Sequence, residues 1–269
     1  MRLTFLGVRG STPSPGPDFV RFGGHTSCVT LAHDHDQAPT LILDAGTGLR
    51  SVTAQLSGVA FVGSILLTHL HWDHVQGIPF FSAGDREGSV VEVFLPSQDG
   101  KSGHELMSQF LSPPAFPITP DGLRGQWVFQ EIDPGTFRTQ GFEVTACEVQ
   151  HKGGRTFGYR VGDGAKAIGF APDHAPAAGV SDDTVATLRG VDVLVHDGQF
   201  IDTERAVADD YGHATVSDAI AFAELIEAKS LVLFHHGPHR TDVALDSIMD
   251  GHGTDIPVLM AFEGMVIEV

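Results

Sequence analysis

Directly behind a short apolar run at 64–67, the chain sets three histidines and an aspartate within six residues: Thr68-His69-Leu70-His71-Trp72-Asp73-His74. Few sequence features restrict a fold more. Groups of this kind cannot be buried beside a strand unless each is paired or given a cation, because unpaired polar and charged groups are costly in apolar surroundings. On an extended stretch, the side chains of His69 and His71 project to the same side. Where the chain turns into a helix at Asp73, Asp73 and His74 can face the opposite side of a small cavity. One loop then feeds two adjacent metal positions, two histidines to one and Asp73 with His74 to the other. Imidazole with carboxylate suits zinc first, and manganese or iron less decisively.

The rest of the chain alternates short strands with fewer helices. Apolar runs predict strands over 2–6, 28–32, 40–43, 90–95, 144–149, 157–161, 167–171, 191–195, 230–234, 258–261 and 265–269. Asp192 is the one polar residue in its run. Helical spacing marks a helix entered at Leu49, and others over 101–111, 214–228 and 243–249, the third capped by Thr215 with Asp218 three residues on. The four prolines of 112–120 exclude a regular element there. No repeat, linker or low-complexity tract divides the chain, so a single domain over 1–269 is the economical expectation. A chain of 269 residues buries well over half of the surface its unfolded form exposes. Metal in such a chain serves chemistry rather than folding. Cys28 and Cys147 lie in apolar runs and are expected as free, buried thiols.

His69-Leu70-His71-Trp72-Asp73-His74 resembles the HxHxDH motif of the metallo-β-lactamase superfamily. The resemblance implies an α/β fold, an αββα sandwich of two mixed sheets flanked by helices, with two metal ions at the sheets' rim. It also asks for a further His, Asp and His, each at a strand end. His151 follows the strand at 144–149 and would complete the first metal position with His69 and His71. Asp173 follows 167–171 and would bridge both ions, about 3.5–4 Å apart in two-metal hydrolases. The final ligand falls within Phe234-His235-His236. His235, the first residue beyond the strand, is the choice over His236, which would point away toward substrate or an outer layer. His174 is expected as an outer-layer or exposed residue. His25, His33, His35, His104, His239 and His252 are expected at the surface or in structural roles.

Val195-His196-Asp197-Gly198-Gln199-Phe200 and Tyr211-Gly212-His213-Ala214-Thr215 look like the paired His-Glu-Ala-Thr and His-Ser-Thr motifs of the RNase Z-like phosphodiesterase branch. Phe5-Leu6-Gly7, Leu43-Asp44-Ala45-Gly46 and Gly158-Tyr159-Arg160 resemble that branch too. Asp197 stands where the motif carries Glu, one methylene longer, and Gly198-Gln199 where it carries Ala-Thr. The resemblance implies hydrolysis of a phosphodiester by a hydroxide bridging two metals. In that reading Asp73 is both ligand and water-orienting group. His213 hydrogen-bonds the leaving oxygen or acts as general acid, and Asp197 keeps it protonated.

Charge narrows the substrate. With 34 acidic and 16 basic residues the formal net charge is −18, and Lys101, Lys152, Lys166 and Lys229 are the only lysines. Such a chain is a poor partner for a large nucleic acid, whose affinity comes from Lys and Arg neutralising phosphates. RNase Z carries a long basic arm between the positions matching His151 and Asp173, where this chain has room only for two strands and a turn. A small anionic substrate is therefore expected, a cyclic nucleotide first among small phosphodiesters. The alternatives are a metallo-hydrolase of a carbon ester, lactone or thioester, an RNA 3'-processing ribonuclease, and a non-hydrolytic redox or binding protein. The N-terminal apolar stretch is too short for a signal peptide and no run of about 20 apolar residues exists, so a cytoplasmic protein without a membrane span is expected. Ile78-Pro79-Phe80-Phe81 is expected to line the pocket, form a homodimer contact or join the core.

Overall fold

Alternation along the strands sets the layers. In Val193–Asp197, Val193 and Val195 join one cluster of buried side chains and Leu194 another. In Leu231–Phe234, Val232 and Phe234 join the first cluster, and Leu231 and Leu233 the second. Strands apolar on both faces must be covered on both, and two face-to-face sheets with helices outside meet that demand. The computed structural model describes residues 1–36, 38–250 and 252–269.

One sheet contains Arg2–Gly7 (β1), Cys28–Ala32 (β2), Leu41–Leu43 (β3), Val62–Leu66 (β4), Val90–Pro96 (β5), Gln126–Ile132 (β6) and Val266–Glu268 (β14), in the order β14-β1-β2-β3-β4-β5-β6. The other contains Gly135–Thr139 (β7), Phe142–Val149 (β8), Thr156–Gly162 (β9), Ala167–Ala171 (β10), Val193–Asp197 (β11), Leu231–Phe234 (β12) and Val258–Met260 (β13), in the order β13-β12-β11-β10-β9-β8-β7. Both are mixed. The β3, β4, β5 and β6 strands run parallel, as do β10, β11, β12 and β13, and the remaining neighbours are antiparallel. Between the sheets, Phe5, Leu31, Leu43 and Leu66 meet Tyr159, Phe170, Val195 and Phe234.

On the outer face of the first sheet lie Leu49–Gln55 (α1), Trp72–Val75 (α2) and Gly103–Met107 (α3). Asp182–Leu188 (α4), Arg205–Tyr211 (α5), Val216–Leu225 (α6) and Asp242–Asp246 (α7) belong to the second half of the chain, with Leu188, Val216, Ala219, Ala223 and Leu245 in the outer cluster of the second sheet. The α6 helix starts on the expected capping box, Thr215 and Asp218 exchanging side chain-to-backbone hydrogen bonds. This αββα sandwich is the expected fold. Among the described residues no helix is long and apolar enough to cross a membrane.

Several bounds differ from expectation. The helix expected over 101–111 is regular only as α3, and that expected over 214–228 only as α6. Two strands, β6 and β7, and two helices, α4 and α5, lie where no element was expected; β6 has no fully buried residue, its half-buried Trp127 and Phe129 alternating with exposed positions. Ile78 and Phe81 are core residues, whereas Phe80 is exposed and packs edge-on against Phe116 at 6.0 Å. Cys28 and Cys147 are free and buried.

Asp192 explains the polar break ahead of β11. Its Oδ2 accepts from the Ala167 N–H at 2.9 Å, and its Oδ1 from Lys229 Nζ at 2.7 Å and Lys166 Nζ at 3.3 Å. Burial pushes this carboxyl up, but the donors outweigh it and hold it down at about 2. A carboxyl lowered on folding contributes stability above its unfolded value, about 3.9, and that contribution is lost as pH falls through the folded value. Asp192→Ala should therefore cost about 1–2 kcal/mol near neutral pH by urea unfolding. The gap to wild type should close between pH ~4 and ~2; a gap constant over that range would refute the electrostatic account.

Candidate metal centre

Strand ends deliver the site. His69 follows β4, with Asp73 and His74 on α2 just beyond. His151 follows β8, Asp173 follows β10, and His235 follows β12. Because β10, β11 and β12 are parallel, Asp173, Asp197 and His235 emerge at the same edge. His235 takes a left-handed backbone, φ 58°, which turns the chain sharply off the strand.

The residues expected to bind metal converge into two groups. In one, the ligand atoms of His69, His71 and His151 lie within 4.8 Å of one another, with His71 Nδ1 3.2 Å from His151 Nε2. In the other, His74 Nε2 is 3.2 Å from His235 Nε2 and 3.3 Å from Asp73 Oδ2, and His235 Nε2 is 3.1 Å from Asp73 Oδ2. Asp173 stands between them. Its Oδ2 lies 3.0 Å from His74 Nε2 and 3.2 Å from His235 Nε2, and its Oδ1 lies 3.6 Å from His151 Nε2 and 4.0 Å from His69 Nε2. One carboxylate thus presents one oxygen to each group.

The donor set fits a pair of divalent cations. His151 Nδ1–H donates to Gly212 O at 2.7 Å and His74 Nδ1–H to Asp44 Oδ2 at 2.7 Å, which turns each Nε2 toward the cluster. His69 Nε2 and Asp173 Oδ2 are buried without a hydrogen-bond partner. Burial, then neighbouring imidazoles, hold His69 well below the ordinary histidine range. Burial lowers His71 and His151 also, so all three offer neutral nitrogens. Burial opposes ionisation of Asp73 and Asp173, yet the surrounding histidines, His74 and His235 foremost, keep both carboxyls well below their usual range. Among the described residues, neither carboxylate meets a lysine or arginine. Burial likewise opposes charge on His74, but Asp73, Asp173 and Asp44 together raise it well above the ordinary value. The proton held there is what a bound cation would displace.

His213 and Asp197 stand beside this cluster. Asp197 is buried at the end of β11; its Oδ2 accepts from His213 Nδ1 at 2.7 Å and from the Ala214 N–H at 3.3 Å. His213 Nδ1 is also 3.7 Å from Asp173 Oδ1. Burial pushes His213 down, but the Asp197 charge and hydrogen bond, with Asp173 and Asp73, raise it to about 9. His69, His71, Asp73, His151, Asp173, His213 and His235 all line one cleft of about 740 Å³.

Asp44 is the residue that sequence reasoning missed. In the sequence it stands in the family-like segment Leu43-Asp44-Ala45-Gly46, which assigns it no role. In the structure it is fully buried at the end of β3, and accepts from the Thr68 N–H at 2.8 Å, from Ser27 Oγ at 2.9 Å and from His74. A charged residue closing a wholly apolar strand was the available signal. His174 is buried rather than exposed, its Nδ1 2.9 Å from His196 Nε2. His236 points away from the cluster, with Nε2 donating to Ala261 O at 2.9 Å.

Fold and donor set together define a metal-dependent hydrolase. The description "beta-lactamase superfamily domain" matches residues 40–236, and the chain belongs to that superfamily. A ribonuclease Z of Natronomonas pharaonis is 23% identical over 285 residues, which cover 87% of this chain and 86% of that protein. Among solved structures, the metallo-β-lactamase fold protein YhfI of Bacillus subtilis superposes with a TM-score of 0.74 at 18% identity, covering 99% of each chain. A diphosphatase from the PhnP family superposes with a TM-score of 0.71 at 17% identity, covering 100% of this chain and 97% of that one. These superpositions speak for the fold.

Outer-layer carboxylates that orient ligand imidazoles typically contribute about 10–100-fold to metal affinity. Asp44→Asn, nearly isosteric, should weaken metal binding by roughly that factor in competition with a chromophoric chelator. Affinity equal to wild type would remove Asp44 from the metal's support.

Proposed function

We propose that the protein is a two-metal phosphodiesterase acting on small anionic phosphodiesters, with cyclic nucleotides the first candidates. The observation that carries this reading is the His213–Asp197 pair, 2.7 Å apart, in which His213 lines the same cleft as the ligand cluster and Asp197 is buried behind it. Hydrolysis of an activated carbon ester has little need of a second, separately charged imidazole. A phosphodiester's alkoxide leaving group needs a proton or a strong hydrogen bond.

His69, His71 and His151 would hold one ion, Asp73, His74 and His235 the other, with Asp173 between. Zinc suits this nitrogen and carboxylate set best. When bound, the ions supply positive charge to the phosphoryl oxygens and acidify a water. The chain's own residues do the rest. Asp197 accepts the hydrogen bond of His213 Nδ1–H, which fixes the ring and leaves Nε2 as its free atom. Raised well above the ordinary imidazole value, His213 keeps a proton on Nε2 at neutral pH and can donate it to the leaving oxygen. The cleft's size suits a small molecule. The kinship with ribonuclease Z and the likeness to a PhnP-family diphosphatase both favour phosphorus chemistry over carbon esters.

The test is turnover of bis(p-nitrophenyl) phosphate, then of a cyclic-nucleotide panel. Chelation should abolish turnover and added zinc restore it. His213→Ala should lower kcat by about 10²–10⁴ with metal content unchanged. Since the protonated ring is the active form, the rate should fall as pH rises through the His213 value. Removing the charge that raises it, in Asp197→Ala, should move that alkaline limb down by at least about one unit toward the free imidazole value near 6.5. Efficient lactone or thioester hydrolysis with no phosphodiester turnover would overturn the reading.

A further inference from the structure

The cleft wall beside Asp73 is a loop whose role the ligand motifs do not cover. Ser11 holds a left-handed backbone, φ 64°, a conformation that non-glycine residues keep only where the surroundings impose it. Its N–H donates to Asp73 Oδ2 at 2.6 Å, which ties the loop to the ligand cluster through the main chain. Ser11 lines the same cleft as Asp73, His213 and His235. From behind, Gln199 Nε2 donates to Ser11 Oγ at 3.3 Å. That bond occupies a lone pair and leaves the hydroxyl proton uncommitted, because among the described residues Ser11 Oγ has no other hydrogen-bond partner.

Gln199 is 5% exposed, and its own N–H donates to Asp197 Oδ1 at 2.9 Å. Its Oε1 has no hydrogen-bond partner, and neither has His235 Nδ1. Both atoms crowd the same spot. A Cβ on Gly10 would stand 2.4 Å from His235 Nδ1 and 2.7 Å from Gln199 Oε1. With Nε2 of His235 turned to the cluster, Nδ1 carries the proton, and the amide oxygen beside it is the matching acceptor. One side chain thus reaches the serine with its nitrogen and sets its unpaired oxygen on the same side as the unpaired Nδ1 of His235, and the absent side chain of Gly10 makes the room.

We infer that Ser11 is a further catalytic residue whose hydroxyl donates a hydrogen bond to a phosphoryl oxygen of the scissile group, and that Gln199 is the positioning residue that aims it while bracing His235. The inference rests on the phosphodiesterase reading above. A neutral hydroxyl adds a directed donor without adding charge, and no proton changes hands in the step. Fixed donors aimed at oxygens that gain charge in the transition state act chiefly on kcat, by about 10²–10³ in well-studied cases.

Ser11→Ala and Ser11→Gly both keep the N–H that binds Asp73, and glycine also relaxes the left-handed backbone. In the zinc-loaded enzyme, both should lower kcat for bis(p-nitrophenyl) phosphate at least about tenfold, with KM and metal content little changed. Gln199→Ala should match the kcat loss of Ser11→Ala, add little to it in the double variant, and weaken zinc binding by about tenfold in chelator competition, a readout independent of turnover. Gln199→Glu keeps an acceptor for His235 but loses the donor to Ser11. It should retain zinc affinity while kcat stays low. Wild-type kcat in both Ser11 variants would sink the contact alone, as would loss of metal in both, which would make Ser11 structural. A wild-type enzyme that turns over no phosphodiester would sink the underlying reading and the Ser11 contact together.

Discussion

Asp173 is a carboxylate 2% exposed, with imidazole nitrogens 3.0–4.0 Å away on either side and no lysine or arginine beside it among the described residues. A charge buried that deeply must be answered by positive charge or lose its ionisation. Of the histidines around it, burial drives His69, His71 and His151 toward the neutral form, while His74 and His213 are raised by the neighbouring carboxylates and supply part of the answering charge. The unpartnered His69 Nε2 and Asp173 Oδ2 are the atoms that a bound cation would satisfy. The topology follows from that need. Strands β10, β11 and β12 must run parallel and end at one edge for Asp173, Asp197 and His235 to meet. The β4 strand of the facing sheet must end opposite them to bring His69 and α2 across.

How much of this was legible in the sequence differs between layers of the site. Residues of the His/Asp cluster are legible because their chemistry is crowded into short segments at strand ends: the 69–74 cluster, His151 after one apolar run, Asp173 after another. Asp44 is not, although it holds His74 as closely as any neighbour, because its partners Ser27, Thr68 and His74 become neighbours only when β3 pairs with β2 and β4. The same holds for Gln199, whose role depends on Gly10, far away in the chain. In the fold, strands with buried alternation were recognisable and β6, with no fully buried residue, was not. Helix ends went astray for a similar reason. Apolar spacing continues past α6 into Ile226 and Ala228, which are buried beside the second sheet although the regular helix has ended.

The shorter carboxylate at position 197 is a local problem that the structure solves with backbone. Aspartate reaches one methylene less than the glutamate of the related motif. Here β11 stays paired through Asp197 itself, in register with Phe234. Gly198 lets the turn lie against Leu233, where a Cβ would meet the leucine side chain at 3.1 Å. The carboxylate is then fixed by three donors: the N–H groups of Gln199 and Ala214, and His213 Nδ1. Held on every side, it needs no extra length to stay on the imidazole. Gly198 and Gln199, the two departures next to it, are part of the same accommodation.

The chain's acidity fixes where attraction for an anion can come from. A formal charge of −18 repels phosphate at long range, although screening confines that repulsion to about 8–10 Å at physiological salt. Inside the cleft the balance differs. Lys101, Lys152 and Arg155 line it beside Asp73, Asp99 and Asp173, and two dications would dominate the local field. On the proposed reading, a small anion would cross only the screened rim to reach this region. An extended polyanion would leave the remainder of its phosphates over an acidic surface with few cations to neutralise them, and would forgo the counterion release that drives nucleic-acid binding. On the proposed two-metal reading, the same cage that makes Asp173 tolerable would also favour ligands small enough to lie wholly within the field of the ions.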